Sequence, residues 1–186
     1  MQVTKIMFLG VLFLGGAFQA RAADRYHVQV PAVYEAENSA RQGLKDECKI
    51  DSLLGNYVLQ SVSERFPGSL PLSADPVPAG DYLLKLTVVY AFGHGGGGNS
   101  GSKILTIRAD LFQDGKMLRS LVKRENSRMG SFGFLSGTCS IFDRLAGRMG
   151  KHVVKWLVMP ASVKADNVMP AENGELEAPE ASESKK

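Results

Sequence analysis

The stretch DYLLKLTVVYAF (Asp81–Phe92) decides the fold class. Its apolar residues recur with a period of two, the pattern of a strand buried on one face, and place Tyr82, Leu84, Leu86, Val88, Tyr90 and Phe92 together. KILTIRADLF (Lys103–Phe112) repeats the pattern, with Leu105, Ile107, Ala109 and Leu111 inward. Asp114-Gly115, just before MLRSLVKRE (Met117–Glu125), is a short hairpin signal, because both residues tolerate the positive φ of a tight turn. Three strands joined this way form an antiparallel meander. A weaker strand, RYHVQVPAVY (Arg25–Tyr34), precedes them, and Pro31, with no N–H to donate, is expected to confine it to a sheet edge.

Working outward, the period changes to that of a helix. DECKIDSLLGNYVLQSVSERFPG (Asp46–Gly68) carries Ile50, Leu53, Leu54, Tyr57, Val58 and Val62 on one face, with Asp46 as the expected N-cap and Pro67-Gly68 as the stop. Gly55 inside it costs about 1 kcal/mol relative to alanine. TCSIFDRLAGRMGKHVVKWLVM (Thr138–Met159) is a second helix, with Phe142, Leu145, Met149, Val153 and Trp156 apolar and a Ser140/Asp143 pair resembling a capping box. The stretch 67–80, with four prolines, reads as an ordered loop.

The order is therefore β-α-β-β-β-α, an α+β fold with both helices on one face of the sheet. If the first strand runs parallel to the meander's first strand, the helices run the same way and their N-termini lie side by side. Cys48 sits in the expected first turn of one helix and Cys139 at the start of the other. A Cys48–Cys139 disulfide is expected, the alternative being two buried thiols.

The beginning of the chain reads as a secretory signal. Lys5 is a short positive region, Ile6–Phe18 an apolar run, and Ala20-Arg21-Ala22 a small-x-small cleavage pattern, giving a signal peptide over 1–22 and a mature start at Ala23 or Asp24. The run is shorter than the roughly 20 apolar residues of a comfortable membrane span, although an uncleaved anchor is the alternative. Residues 24–164 are expected to be one domain. They hold 18 basic and 13 acidic side chains, whereas residues 165–186 hold six acids against Lys185 and Lys186. That acidic tail, rich in Ala, Glu, Pro and Ser, is expected to be disordered.

The glycine-rich AFGHGGGGNSGSK (Ala91–Lys103) imitates two catalytic loops. A phosphate-binding loop needs its Lys before the Ser or Thr and a helix after it; here the order is Ser102-Lys103 and a strand follows. The His94–Gly97 match to an esterase oxyanion loop needs a G-x-S-x-G elbow that the sequence does not contain. The loop reads as a strand connection. His27, His94 and His152 have no metal-ligand spacing, and no carboxylate pair suggests acid–base work, so neither an enzyme nor a metal or other cofactor is expected. Nucleic acid is not an expected partner.

Two candidates for binding remain. RENSRMGSFGFLSGTCS (Arg124–Ser140) leads from a strand into a helix N-terminus, and Arg124, Arg128 and Thr138 in it suit an anionic group; helix capping with Phe132, Phe134 and Leu135 in the core is the alternative. Arg144, Arg148, Lys151 and Lys155, at spacings of four, three and four, form a basic stripe on one helix face, suited to anionic headgroups, cell-wall polymer or an acidic partner. A plain solvated face is the alternative.

Taken together, Cys48 opening a helix, SGSK at 100–103, DLFQDGK at 110–116, R-x-x-S-x-x-G at Arg124–Gly130, GTCSI at 137–141 and KWL at 155–157 resemble an uncharacterised family of small exported bacterial proteins over roughly residues 46–160. That resemblance implies no activity. More loosely the pattern is similar to small α/β domains of outer-membrane accessory proteins, a likeness of fold alone. The expectation is a non-enzymatic periplasmic protein with a binding or accessory role in the cell envelope, making peripheral contact with an anionic surface or a protein partner. An inhibitor or immunity-type module against a secreted enzyme, and an unrecognised hydrolase, are the alternatives.

Overall fold

The computed structural model describes residues 24–73, 76–93, 101–127 and 137–160. The expected signal peptide, the glycine loop from His94 to Ser100, Arg128, the aromatic part of the second glycine stretch and the acidic tail lie outside them. The elements are β1 (Tyr26–Val28), β2 (Val33–Tyr34), a 3-10 turn (Glu37–Ser39), α1 (Gln42–Cys48), α2 (Ile50–Arg65), β3 (Leu70–Pro71), β4 (Tyr82–Phe92), β5 (Ile104–Gln113), β6 (Lys116–Asn126) and α3 (Thr138–Val158).

The α+β class holds, but the sheet is mixed rather than a plain antiparallel meander. β4, β5 and β6 pair antiparallel in that order. Asp114 and Gly115 turn the β5–β6 hairpin at φ 49° and 75°. Three short strands then add parallel pairs: β1 and β2 both lie along β4, and β3 lies along β1, giving the order β3-β1-β4-β5-β6 with β2 beside β4. β3 falls inside the Pro-rich stretch expected to be a loop. The parallel β1–β4 pairing is the condition on which the common direction of the helices rested.

The first strand is broken in two at Pro31, and β1, between β3 and β4, is not the edge strand expected from that proline. Leu86 on β4 would lose its ladder partner at the break, and its N–H instead donates to Oε1 of Gln29 at 3.1 Å. The N–H of Ala32 turns away and donates to the Asp51 carbonyl of α2 at 3.1 Å. Helix α2 approaches this corner so closely that a Cβ at Gly55 would lie 3.2 Å from Val30 Cα, so the residue that weakens the isolated helix lets it pack.

Two helical details correct the sequence reading. Residues 46–65 are not one helix opened by Asp46. Lys49 adopts φ 46°, ending α1 at Cys48 and starting α2 at Ile50 in a new direction. Cys48 therefore closes a helix instead of opening one. At α3 the N-cap is Gly137, with no side-chain cap bond. Ser140 Oγ donates to the Gly137 carbonyl, and Asp143 accepts from Tyr57, so the expected capping box does not form.

The Cys48–Cys139 disulfide is present, with Cα atoms 4.9 Å apart. It ties the junction of α1 and α2 to the first turn of α3. Farther along, the Tyr57 hydroxyl donates to Asp143 Oδ1 at 2.9 Å, and Gly147 and Gly150 meet Tyr57. Contacts that advance together along both chains mean that α2 and α3 run in the same direction. Their apolar faces (Ile50, Leu54, Val58 and Val62 with Phe142, Leu145, Met149 and Val153) are fully buried against Leu84, Leu86, Val88, Leu105, Ile107 and Ala109 of the sheet.

β4 departs from the expected alternation at one point. A bulge between Val88 and Tyr90 resets the phase, so Ala91 is buried whereas Tyr90 is 42% exposed, and Phe92 joins Tyr90 on the sheet's other side with rings 6.2 Å apart. On that other face Leu83 is buried and Val89, Ile104 and Phe112 are half-buried.

Candidate functional site

Helix α3 is amphipathic along its whole length. Phe142, Leu145, Met149, Val153 and Trp156 turn inward, and Arg144, Arg148, Lys151 and Lys155 are all exposed on the opposite side. The 1.5 Å rise per residue spreads these four side chains over roughly 16 Å.

Polar side-chain contacts join β6 to α3. Arg148 Nε donates to Glu125 Oε2 at 3.2 Å, and Arg148 also donates to the Asn126 carbonyl at 3.3 Å. His152 Nε2 lies 3.0 Å from the other Glu125 oxygen. Arg148 thus serves as an anchor as well as a member of the stripe. At the far end Arg119 of β6 stacks on Trp156 at 4.6 Å and donates to the carbonyls of Leu157 and Met159 at 2.7 and 2.8 Å, satisfying carbonyls that the last turn of a helix leaves open. Glu125 and Arg119 were not legible as partners of α3. Their signal would have been the strand phase, which puts both on the helix-facing side of β6, in register with Leu105 and Leu111.

The second candidate set is not assembled in the same place. Arg124 is exposed and pairs with Thr106, so it belongs to the sheet face away from α3. Thr138 is the half-buried first residue of α3, and Arg128 lies outside the described residues.

The ends of the two glycine-rich stretches meet at Lys103 and Ser127. The Lys103 N–H donates to Ser127 Oγ, and the Ser127 N–H donates to the Lys103 carbonyl, both at 2.8 Å. These residues come from SGSK and R-x-x-S-x-x-G, so two separate motifs close one clamp. The Lys103 side chain is fully buried, with Nζ donating to the Gly101 carbonyl at 3.1 Å. Its stem runs under Gly93, where a Cβ would lie 2.6 Å from Lys103 Cδ and 3.1 Å from Phe142 Cε2. Burial pushes the ammonium below its ordinary value of 10.5.

A pH dependence follows from that burial. At low pH the folded and unfolded chains both carry the proton, and the folded chain bears the full cost of the buried charge. As pH rises through the lowered folded value towards 10.5, the folded chain releases its proton first and the cost disappears. Burial raises Tyr26 and Tyr34 to about 12, and these act the other way: stability falls as the unfolded phenols ionise above 10. Wild type is therefore expected to gain stability relative to Lys103→Met between neutral pH and pH 10.5, the tyrosines cancelling in the comparison. Urea melts of both proteins across this range check it.

Two of the histidines pair with carboxylates. His27, buried on β1, has Nε2 2.9 Å from Asp81 Oδ2, and His152 meets Glu125 as described. Among the described residues no cluster of three His, Cys, Asp or Glu could hold a metal ion, and no helix is long and apolar enough to cross a membrane.

No family model matches the chain, and no curated protein matches it. Among solved structures it is similar to a PelC dodecamer from Paraburkholderia phytofirmans, at 11% identity and TM-score 0.41 over 68% of this chain and 83% of that one. It is also similar to a Xanthomonas campestris protein of the family DUF330, at 13% identity and TM-score 0.38 over 57% and 60%. A third likeness is to a lipoprotein from Neisseria meningitidis, at 18% identity and TM-score 0.26 over 73% and 97%.

Proposed function

We propose that the chain is an exported, non-enzymatic protein of the cell envelope that binds an anionic envelope component through the outward face of α3. The observation that carries this reading is the single row of exposed cations, Arg144, Arg148, Lys151 and Lys155, on a helix whose other side is wholly committed to the core. The Cys48–Cys139 bond supports export, because such bonds persist in oxidising compartments.

The geometry selects which side chains to change. Arg148 also anchors α3 to Glu125, so its substitution mixes binding with packing. Lys151 and Lys155 are exposed and suit a charge reversal. Lys151→Glu/Lys155→Glu is expected to fold normally and to reduce co-sedimentation with envelope fractions by about tenfold at low salt, taking roughly 1 kcal/mol or less per charge near an anionic surface. The wild-type association should itself weaken as salt shortens the range of the attraction. Undiminished sedimentation of the double variant contradicts the reading.

A further inference from the structure

We propose that the acidic C-terminal segment of this chain, residues 165–186, occupies the outward face of α3 and competes with the envelope component for it. This rests on the reading of that face as an anion-binding surface and adds its regulation.

Charge complementarity carries the first part of the case. The segment holds Asp166, Glu172, Glu175, Glu177, Glu180 and Glu183 against two lysines, and α3 presents four exposed cations in a row. Of these, Arg148 already has a carboxylate partner in Glu125, so the segment's complement is centred on the C-terminal half of the stripe, at Lys151 and Lys155.

The place where the described chain ends carries the second part. Arg119 holds the Leu157 and Met159 carbonyls, so the chain leaves at Pro160 from a fixed point one turn beyond Lys155. The 26 residues from 161 to 186 span up to about 85 Å when extended, and the 21 residues of α3 occupy about 31 Å, so the segment can return along the whole stripe. Tethering raises the segment's local concentration into the millimolar range, enough for weak ionic contacts to occupy the face without any high-affinity bond. An envelope component must then displace the segment, and it succeeds only where its own anionic charge is dense.

The test compares the full mature chain with a full-length variant carrying Glu172→Gln, Glu175→Gln, Glu177→Gln, Glu180→Gln and Glu183→Gln. Amide chemical shifts are recorded for both without any envelope component, at low salt and at about 0.5 M salt, where screening acts within roughly 4 Å. The expected result is a set of low-salt differences between the two proteins centred on Lys151 and Lys155, lost at high salt. The variant should also bind vesicles of phosphatidylglycerol about two- to tenfold more tightly. Identical α3 resonances, or differences centred elsewhere, overturn the proposal. The shift measurement involves no envelope component, so it separates this proposal from the reading of function: α3 shifts without vesicle binding by either protein would sink the function alone. Equal vesicle binding without α3 shifts would sink the segment's role alone.

Discussion

Replacing Cys48 and Cys139 together by alanine is expected to lower the unfolding free energy by about 2–5 kcal/mol. The two cysteines are 91 residues apart, so the bond removes a large share of the unfolded chain's freedom, up to about 4–5 kcal/mol on the loop-entropy account. The folded state adds a local reason. Cys48 ends α1 at the left-handed Lys49, and the bond fixes this kink to the first turn of α3. Urea melts of the oxidised wild type and the double variant measure the difference. Coincident melts would mean that the bond does not hold the α1–α2 junction to α3.

Gly150→Ala is expected to cost about 1–3 kcal/mol, the usual range for overpacking a filled interface. An added Cβ would lie 2.6 Å from the Tyr57 carbonyl oxygen and from Ser61 Oγ, and 3.1 Å from the Tyr57 carbonyl carbon. The serine can rotate away. The backbone of α2 cannot, so the two helices must separate and loosen the core beneath them. Gly147→Ala supplies the control one turn earlier: its Cβ would meet the Tyr57 ring at 3.6–3.9 Å, an ordinary contact. That variant should be unchanged or gain up to about 1 kcal/mol from helix propensity. Thermal melts showing equal losses for both variants would contradict close packing at Gly150.

What was legible in the sequence was periodic. The inward residues of β5 and the buried face of α3 were read from spacing alone, since core burial imposes a repeat of two or of 3.6 residues. The Cys48–Cys139 pairing was expected from two cysteines in an exported chain, and the topology, read independently, placed the two residues near each other. What was hidden depended on single backbone turns or distant partners. The left-handed turn at Lys49 and the bulge at Val89 leave composition unchanged, yet one redirects a helix and the other moves Tyr90 and Phe92 to the opposite face. β1, β2 and β3 are two or three residues long, too short to show a period, and Gln29 holds the break between β1 and β2 by a side-chain bond to Leu86. Lys103 read as part of a loop, and its burial depends on Gly93 and Phe142 coming together from separate segments. The basic stripe was visible, but its attachment to β6 through Glu125 was not. Arg124 was grouped with Arg128 and Thr138 at the start of α3, and strand phase places it on the far side of the sheet.

The most direct test of the α3 face sets two charge reversals of equal size against each other. Lys151→Glu/Lys155→Glu changes the stripe, and Lys116→Glu/Arg124→Glu changes two exposed cations of β6, one beside the hairpin turn and one on the sheet face away from α3. Both shift the net charge by four, and the four side chains are all exposed, so matched thermal melts should confirm that folding is intact. Partition of each variant into envelope fractions is then followed over a series of salt concentrations. Loss of partition in the stripe variant, with the β6 variant remaining close to wild type, is the predicted result; equal loss in both, or none in either, would contradict binding through α3.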